Sequence, residues 1–405
     1  MTTAAAAVEF DPFSETFFND PSDVYRRLRD EAPVYFNEQY RFYALSRFAD
    51  VVTAHRDWQG FSSSHGVDLS MLSKDPELIR SMRSMIMMDP PEHERLRALV
   101  SRVFTPRAIS GLEPMIRDTI TGFITPLEQR DEFDAVADFS APFPVEIISR
   151  MLGVPEGDRQ QVRHWLDHTL HREPGQMDPT PAGVNAMIEA SAYWDALVAE
   201  KRKHPGDDML SRLTQVTVDR GDGTETGLDD GEVANFAMLI GGAGAETVTK
   251  LVGNAVTLFA RYPDQWNKVR NDFEKIPRAV EEILRILPPS QYQGRFSLED
   301  RAFEGGTIPA GYPVLLITGA ATRDPREFER PDDFEVERPP NVAVGFGHGI
   351  HSCLGAALAR MESRVAIEEI AKRWTRLDVD ESGLRRVHMS NVAGYSNVPV
   401  HGVRG

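Results

Sequence analysis

A tract of helical periodicity runs from roughly Pro90 to Leu287, and it limits the possible fold more than any other feature of the sequence. Strand-like segments lie outside it. Pro33-Val-Tyr-Phe-Asn and Arg41-Phe-Tyr-Ala-Leu-Ser read as a hairpin near the N-terminus. A second patch spans Phe303 to Ile317, with turns at Gly305-Gly306 and Pro309-Ala-Gly311, and a third spans Val387 to Val400. Helices in the middle and strands at the ends give a mainly α fold with small β-sheets. The 405 residues exceed a typical domain, but no low-complexity linker or internal repeat divides them, so 1–405 is read as one domain.

Several function classes are excluded early. A single cysteine rules out an intramolecular disulfide, a multi-cysteine zinc site and an iron–sulfur cluster. The net charge of −17 argues against nucleic acid as the main partner, because phosphate binding needs a basic surface. MTTAAAAVEF lacks the basic and apolar regions of a secretory signal. The longest apolar candidate, Phe236 to Val248, is broken by glycines and Glu246, so no membrane span is expected. A soluble, cytoplasmic protein is the expectation.

The one cysteine, Cys353, stands in FGHGIHSCLG, residues Phe346 to Gly355. Leu354, Leu358, Met361 and Val365 recur at helical spacing, which predicts Cys353 at the start of a helix, where free N–H groups and the dipole favour a thiolate. Gly347 and Gly349 permit tight turns and close backbone approach. Such a loop can surround a sulfur with donors and leave one face open; taken alone, it also suits a buried structural cysteine.

Three other stretches carry polar residues in unusual places. Asp229 and Glu232 form a capping box for a helix that continues past Lys250. Gly241, Gly242 and Gly244 lie inside it, each costing about 1 kcal/mol against alanine. Either another backbone packs very close or something flat approaches. One turn on, the Thr247 hydroxyl can draw the Ala243 carbonyl out of the helical ladder. In AVEEILR, Glu282 and Arg285 lie opposite the stripe of Val280, Ile283, Leu284 and Leu287, which by itself suits an exposed ion pair of small value. In DPPEHERLR, a helix begins near Pro90-Pro91, and His93 and Arg97 share one face of it.

Together these stretches resemble the cytochrome P-450 family. Phe346-Gly347-x-Gly349-x-His351-x-Cys353-x-Gly355 resembles its heme-ligand loop at every defining position, and Ala243-Gly244-Ala245-Glu246-Thr247 resembles its oxygen-binding groove. The matches run in family order from Asp89 to Gly355, and with flanking helices cover nearly the whole chain. The resemblance implies the cytochrome P-450 fold, with heme b between the groove helix and the cysteine-loop helix. It implies Cys353 as the iron ligand, with Phe346, Gly347, Gly355, Ala243 and Gly244 against the heme. It implies propionate contacts from His93, Arg97, Arg295 and His351, oxygen activation by Glu246 and Thr247, and a buried Glu282–Arg285–Arg338 network. One departure is Thr322 in ATRDP, where the family more often has asparagine; it is expected to affect loop packing only.

The implied activity is a monooxygenase that inserts one atom of O2 into an apolar small molecule. Electrons would come ultimately from NAD(P)H through a separate ferredoxin and its reductase, docked at a basic patch including Arg102, Arg107 and Arg360. A peroxide-driven peroxygenase and a non-enzymatic heme gas sensor are the alternatives; Glu246-Thr247 argues against the first, and the lack of a signalling module against the second. The family builds its substrate pocket from the loop at Gln59 to Met88, the stretch from Trp165 to Met187, the helix before Gly242, and segments near Pro289 and Val392. Met82, Met87, Met88, Leu239, Gly242, Ser290 and Val392 are the candidates. The methionines suit a lipid, terpenoid or steroid. A monomer is expected.

Overall fold

The computed structural model describes residues 7–82, 84–101, 104–219, 224–342 and 344–404. The helices that build the site are α1 Phe48–Arg56, α2 Glu92–Ser101, α3 Glu113–Ile124, α4 Pro142–Leu152, α5 Arg159–Leu170, α6 Pro181–Lys203, α7 Asp230–Arg261, α8 Ile276–Ile286 and α9 Ala356–Arg373.

Helix α7 is the central element. Its start is fixed by a capping box: the Glu232 N–H donates to the Asp229 carboxylate at 2.8 Å, and the Asp229 N–H donates to Glu232 at 2.9 Å. Buried residues then occupy most of its circumference, including Val233, Phe236, Ile240, Val248, Leu251, Val252, Val256 and Phe259. A helix apolar on nearly all sides must be sheathed by others. Here α4, α5, α6 and α9 do so. Its glycines explain the closeness. A Cβ on Gly241 would lie 3.1 Å from Trp194 of α6, one on Gly242 3.3 Å from Leu166 of α5, and one on Gly244 3.1 Å from Ile148 of α4. Side chains of three neighbouring helices, rather than the other backbone the sequence suggested, approach these glycines.

The N-terminal hairpin forms as expected, β1 Val34–Asn37 antiparallel to β2 Phe42–Leu45. It belongs to a five-stranded sheet with β3 Phe61–Ser62, β4 Gln293–Ser297 and β5 Pro313–Leu316, in the order β1-β2-β5-β4-β3. The β2–β5 pair is parallel and the others antiparallel. Strand β4 fixes Arg295 opposite Val314.

Two departures from the sequence reading concern strands. The helical tract is interrupted by a strand at Glu132–Asp134 and a hairpin of Thr217–Asp219 with Glu225–Gly227. A three-residue strand is too short to show a period of two, and Glu132–Asp134 exists because a distant segment, Pro399–Val403, pairs with it. In the expected patch from Val387 to Val400, only Tyr395–Asn397 and the start of Pro399–Val403 are strand.

Candidate active site

The cysteine loop is shaped by backbone conformations that glycine alone adopts readily. Gly347 has φ 67° and Gly349 φ 70°, both left-handed. The reversal lets the Cys353 N–H donate to the Phe346 carbonyl at 2.8 Å. Phe346 is capped by the Arg360 guanidinium, 4.5 Å from its ring centre. Cys353 itself is not on the helix: α9 begins at Ala356 with Gly355 as its N-cap, so the sulfur belongs to the preceding loop. The side chain is accessible, yet protein surrounds it on nearly every side, so it lines a recess. Burial pushes the thiol pKa up, while the Gly355 N–H, Arg97 and Arg360 pull it down. A bound metal ion would deprotonate it outright.

Basic groups gather beside this loop. His93, on α2, is buried, and its ring centre lies 4.2 Å from that of His351. Neither ring nitrogen of His93, nor Nε2 of His351, has a hydrogen-bond partner. Burial, reinforced by Arg97, lowers the pKa of His93 to about 4. Burial, then Arg295, lowers that of His351 to about 2. Arg97 reaches across and donates to the Ser352 carbonyl at 2.5 Å. Arg295 is buried, and its guanidinium makes one hydrogen bond among the described residues, to the adjacent Gly294 carbonyl at 2.7 Å. Burial lowers its pKa to about 10, with Asp89 opposing.

This collection of buried donors lacks matching acceptors, and burying donors unmatched is costly. An anionic ligand would satisfy them. Among the described residues no group of three His, Cys, Asp or Glu could hold a metal ion, so a metal at Cys353 must bring further ligands with it. A thiolate beside a nest of anion-seeking donors therefore fits an iron porphyrin with carboxylate side chains. The sequence reading missed His55 of α1, which is buried with both ring nitrogens unpartnered. A lone histidine between Ala54 and Arg56 carries no signal in sequence.

On α7, the Thr247 hydroxyl donates to the Ala243 carbonyl at 3.1 Å. The helix is nevertheless continuous from Asp230 to Arg261, so the expected opening of the ladder does not occur. Ala243 is exposed and Thr247 half-buried one turn on. Gly244 points instead at Ile148 and does not share their open face. Glu246 is also turned away, 2% exposed, with its carboxylate 2.5 Å from Lys250 Nζ. Burial raises its pKa, Lys250 opposes that, and Asp167 and Arg163 of α5 add smaller effects of opposite sign. Lys250 also went unnoticed in sequence, where it reads as an ordinary polar residue on a helix.

Glu282 and Arg285 of α8 are buried, against the exposed pair that periodicity suggests. Arg285 donates to both Glu282 oxygens at 2.7 and 2.8 Å, and Arg338 Nε to the same oxygens at 3.0 and 3.1 Å. The remaining guanidinium N–H groups go to carbonyls of Thr322, Glu329, Arg330, Pro331 and Asp333. Thr322 serves the network through its carbonyl, while its buried hydroxyl faces the Gly319 carbonyl at 3.5 Å.

The pocket candidates are less unified. Met88 and Leu239 pack against the core around α7, and Met87 is buried in a 3-10 turn at Met85–Met87. Met82 is half-buried. Ser290 bridges Val392 by backbone pairing and accepts from Gln293 at 2.8 Å. Val392 belongs to a separate small cluster with Val387 and Met389, so the described contacts do not join it to the methionines. Gly242 faces Leu166. Of the three docking arginines, Arg107 is exposed, Arg360 is tied to Glu281 at 2.5 Å, and Arg102 lies outside the described residues.

Known proteins resemble this chain over nearly its whole length. The cytochrome P450 family model matches residues 178–383. A Mycobacterium tuberculosis protein provisionally named cytochrome P450 123 is 42% identical over 391 residues, 96% of each chain. Erythromycin C-12 hydroxylase of Saccharopolyspora erythraea is 37% identical over 381 residues, 92% of each chain. The crystal structure of CYP109E1 from Bacillus megaterium in complex with testosterone is similar with a TM-score of 0.85 at 30% identity, over 95% of this chain and 98% of that one.

Proposed function

The chain belongs to the cytochrome P450 family, and from that premise we propose that it hydroxylates an apolar molecule of lipid, terpenoid or steroid size, using Cys353 as the heme ligand. It is a heme b monooxygenase that uses O2 and a redox partner. The observation that carries the assignment of Cys353 is its place on a recess beside the unpartnered ring nitrogens of His93 and His351 and the sparsely bonded guanidinium groups of Arg97 and Arg295. When bound, heme supplies the oxygen-activating and electron-accepting chemistry that no side chain here offers.

The protein's own part is binding, orientation and proton supply. Arg97, Arg295, His93 and His351 hold the carboxylate side chains of the cofactor. Phe346, Gly347, Gly355 and Ala243 provide close surfaces, with the heme between α7 and the Cys353 loop. Thr247, on the open face of α7, presents a hydroxyl to dioxygen. Glu246, paired with Lys250 behind that face, helps relay protons to it. Met87, Met88 and Leu239 line an apolar substrate site, with Met82, Gly242, Ser290 and Val392 at its margins. The testosterone held by CYP109E1 supports the proposed size and polarity of the substrate.

The electron donor is a ferredoxin served by an NAD(P)H-dependent reductase, docking on the side that carries Arg107. Residues 1–405 act as one catalytic domain, and the protein works as a cytoplasmic monomer. Among the described residues, no helix is long and apolar enough to cross a membrane.

The test is the absorption spectrum of the reduced protein with carbon monoxide. A strongly red-shifted Soret band, lost in Cys353→Ser, is expected. A band at the position typical of histidine-ligated heme in the wild type would overturn the assignment of Cys353. The same preparation, titrated with steroids, terpenoids and fatty acids, should show a spin-state shift with at least one; shifts only with small polar compounds would overturn the substrate class.

A further inference from the structure

His55 is a buried histidine that neither the sequence nor the family resemblance singled out. It sits near the C-terminal end of α1, 3% exposed. Its backbone is clamped against the cysteine loop: a Cβ on Gly349 would lie 2.2 Å from the His55 carbonyl oxygen. A Cβ on Gly347 would lie 4.0 Å from its ring carbon Cε1. The ring is thus held beside the loop that carries Cys353, on the flank formed by Arg295 and His348.

Among the described residues, nothing satisfies this ring. Both nitrogens are buried without a hydrogen bond. Gln293 comes close enough to favour the protonated ring slightly. Its amide is already engaged, however, with Nε2 donating to Ser290 at 2.8 Å and Oε1 accepting from Thr318 at 2.6 Å. His348 is bonded to Arg56 at 2.8 Å. Arg295 can only donate. Burial, with Arg295 and His348, keeps the imidazole neutral, so it carries one N–H. Among the described residues, neither that N–H nor the Arg295 guanidinium beyond its bond to Gly294 has a hydrogen-bond acceptor.

We propose that His55 is a cofactor-binding residue, donating a ring N–H to the same carboxylate side chain of the heme that Arg295 binds. The proposal rests on heme binding, which the carbon monoxide spectrum tests separately. Gly349 then has a second purpose besides its backbone conformation: without a side chain, it lets α1 come close enough to deliver the imidazole.

The experiment measures heme loss from the intact holoprotein, as the rate of transfer to excess apomyoglobin, for wild type, His55→Phe and His55→Gln. His55→Phe keeps a ring and removes the donor; His55→Gln keeps a donor. The expected result is a loss rate roughly tenfold higher in His55→Phe, the scale of one hydrogen bond to a charged acceptor, and substantial recovery in His55→Gln. Resonance Raman spectra should show the propionate bending mode shifted in His55→Phe and restored in His55→Gln. Wild-type loss rates and an unmoved propionate mode in His55→Phe would overturn the proposal. So would equal losses in both variants, which would make the ring a packing element. If His55→Phe does not fold, His55→Leu, which also removes the donor, takes its place with the same two readouts: a faster heme loss and a shifted propionate mode support the contact, and wild-type values of both overturn it. A preparation with the red-shifted band and unchanged heme loss would sink this proposal alone.

Discussion

Lys250 and Glu246 form an ion pair one turn apart on the same face of α7, 2.5 Å between charged atoms, with side chains 4% and 3% exposed. A pair this deep gives up hydration on both sides, and removing one partner leaves a buried charge uncompensated. Lys250 is itself fixed by Gly394, where a Cβ would lie 2.7 Å from the lysine Cβ.

Lys250→Met should therefore destabilise the protein in a pH-dependent way. With the ammonium gone, burial raises the folded pKa of Glu246 further above its unfolded value. The folded chain then binds more protons than the unfolded chain, so stability is retained below the unfolded pKa and falls as pH rises through the folded one. A loss of about 3–5 kcal/mol is expected near pH 8 and a much smaller one near pH 5. Melting curves at the two pH values check this; an equal loss at both would show that Lys250 acts through packing alone.

The Glu282 network makes a second prediction. Glu282→Ala removes the acceptor of two buried guanidinium groups. The expected cost is about 3–5 kcal/mol, read as a lower denaturation midpoint. Arg338→Lys should recover little, because an ammonium cannot reproduce hydrogen bonds that now run from three nitrogens.

Gly349→Ala tests the approach of α1 to the cysteine loop. The new methyl meets a backbone carbonyl at 2.2 Å in a left-handed conformation. The backbone must move, at a cost of about 1–3 kcal/mol. Lower thermal stability and faster heme loss are expected together. A protein with wild-type stability would show that the loop relaxes freely.

Charge reversal at Arg107 addresses the redox partner. Arg107→Glu should raise the KM for an acidic ferredoxin by roughly three- to tenfold at low salt, and the difference should shrink as salt rises. Steady-state reduction at two ionic strengths measures it. Unchanged kinetics at both would move the docking surface elsewhere.

The class of fold, the capping of α7 and the tight turns of the loop at Cys353 were legible in the residues alone. Those features are local: a capping box, a run of glycines and a cysteine between two glycines each act through neighbours in the chain. The tertiary structure decided what depends on distant partners. It buried Glu282 and Arg285, which periodicity alone would leave in water, because Arg338 and carbonyls from the segment before it close around them. It formed the strand at Glu132–Asp134 because Pro399–Val403 lies beside it. It turned Glu246 toward Lys250 and away from the face shared by Ala243 and Thr247. And it set His55 against Gly349, nearly 300 residues away in sequence. A residue's type fixes what it can donate or accept, but burial and partners fix what it must find, and those belong to the fold.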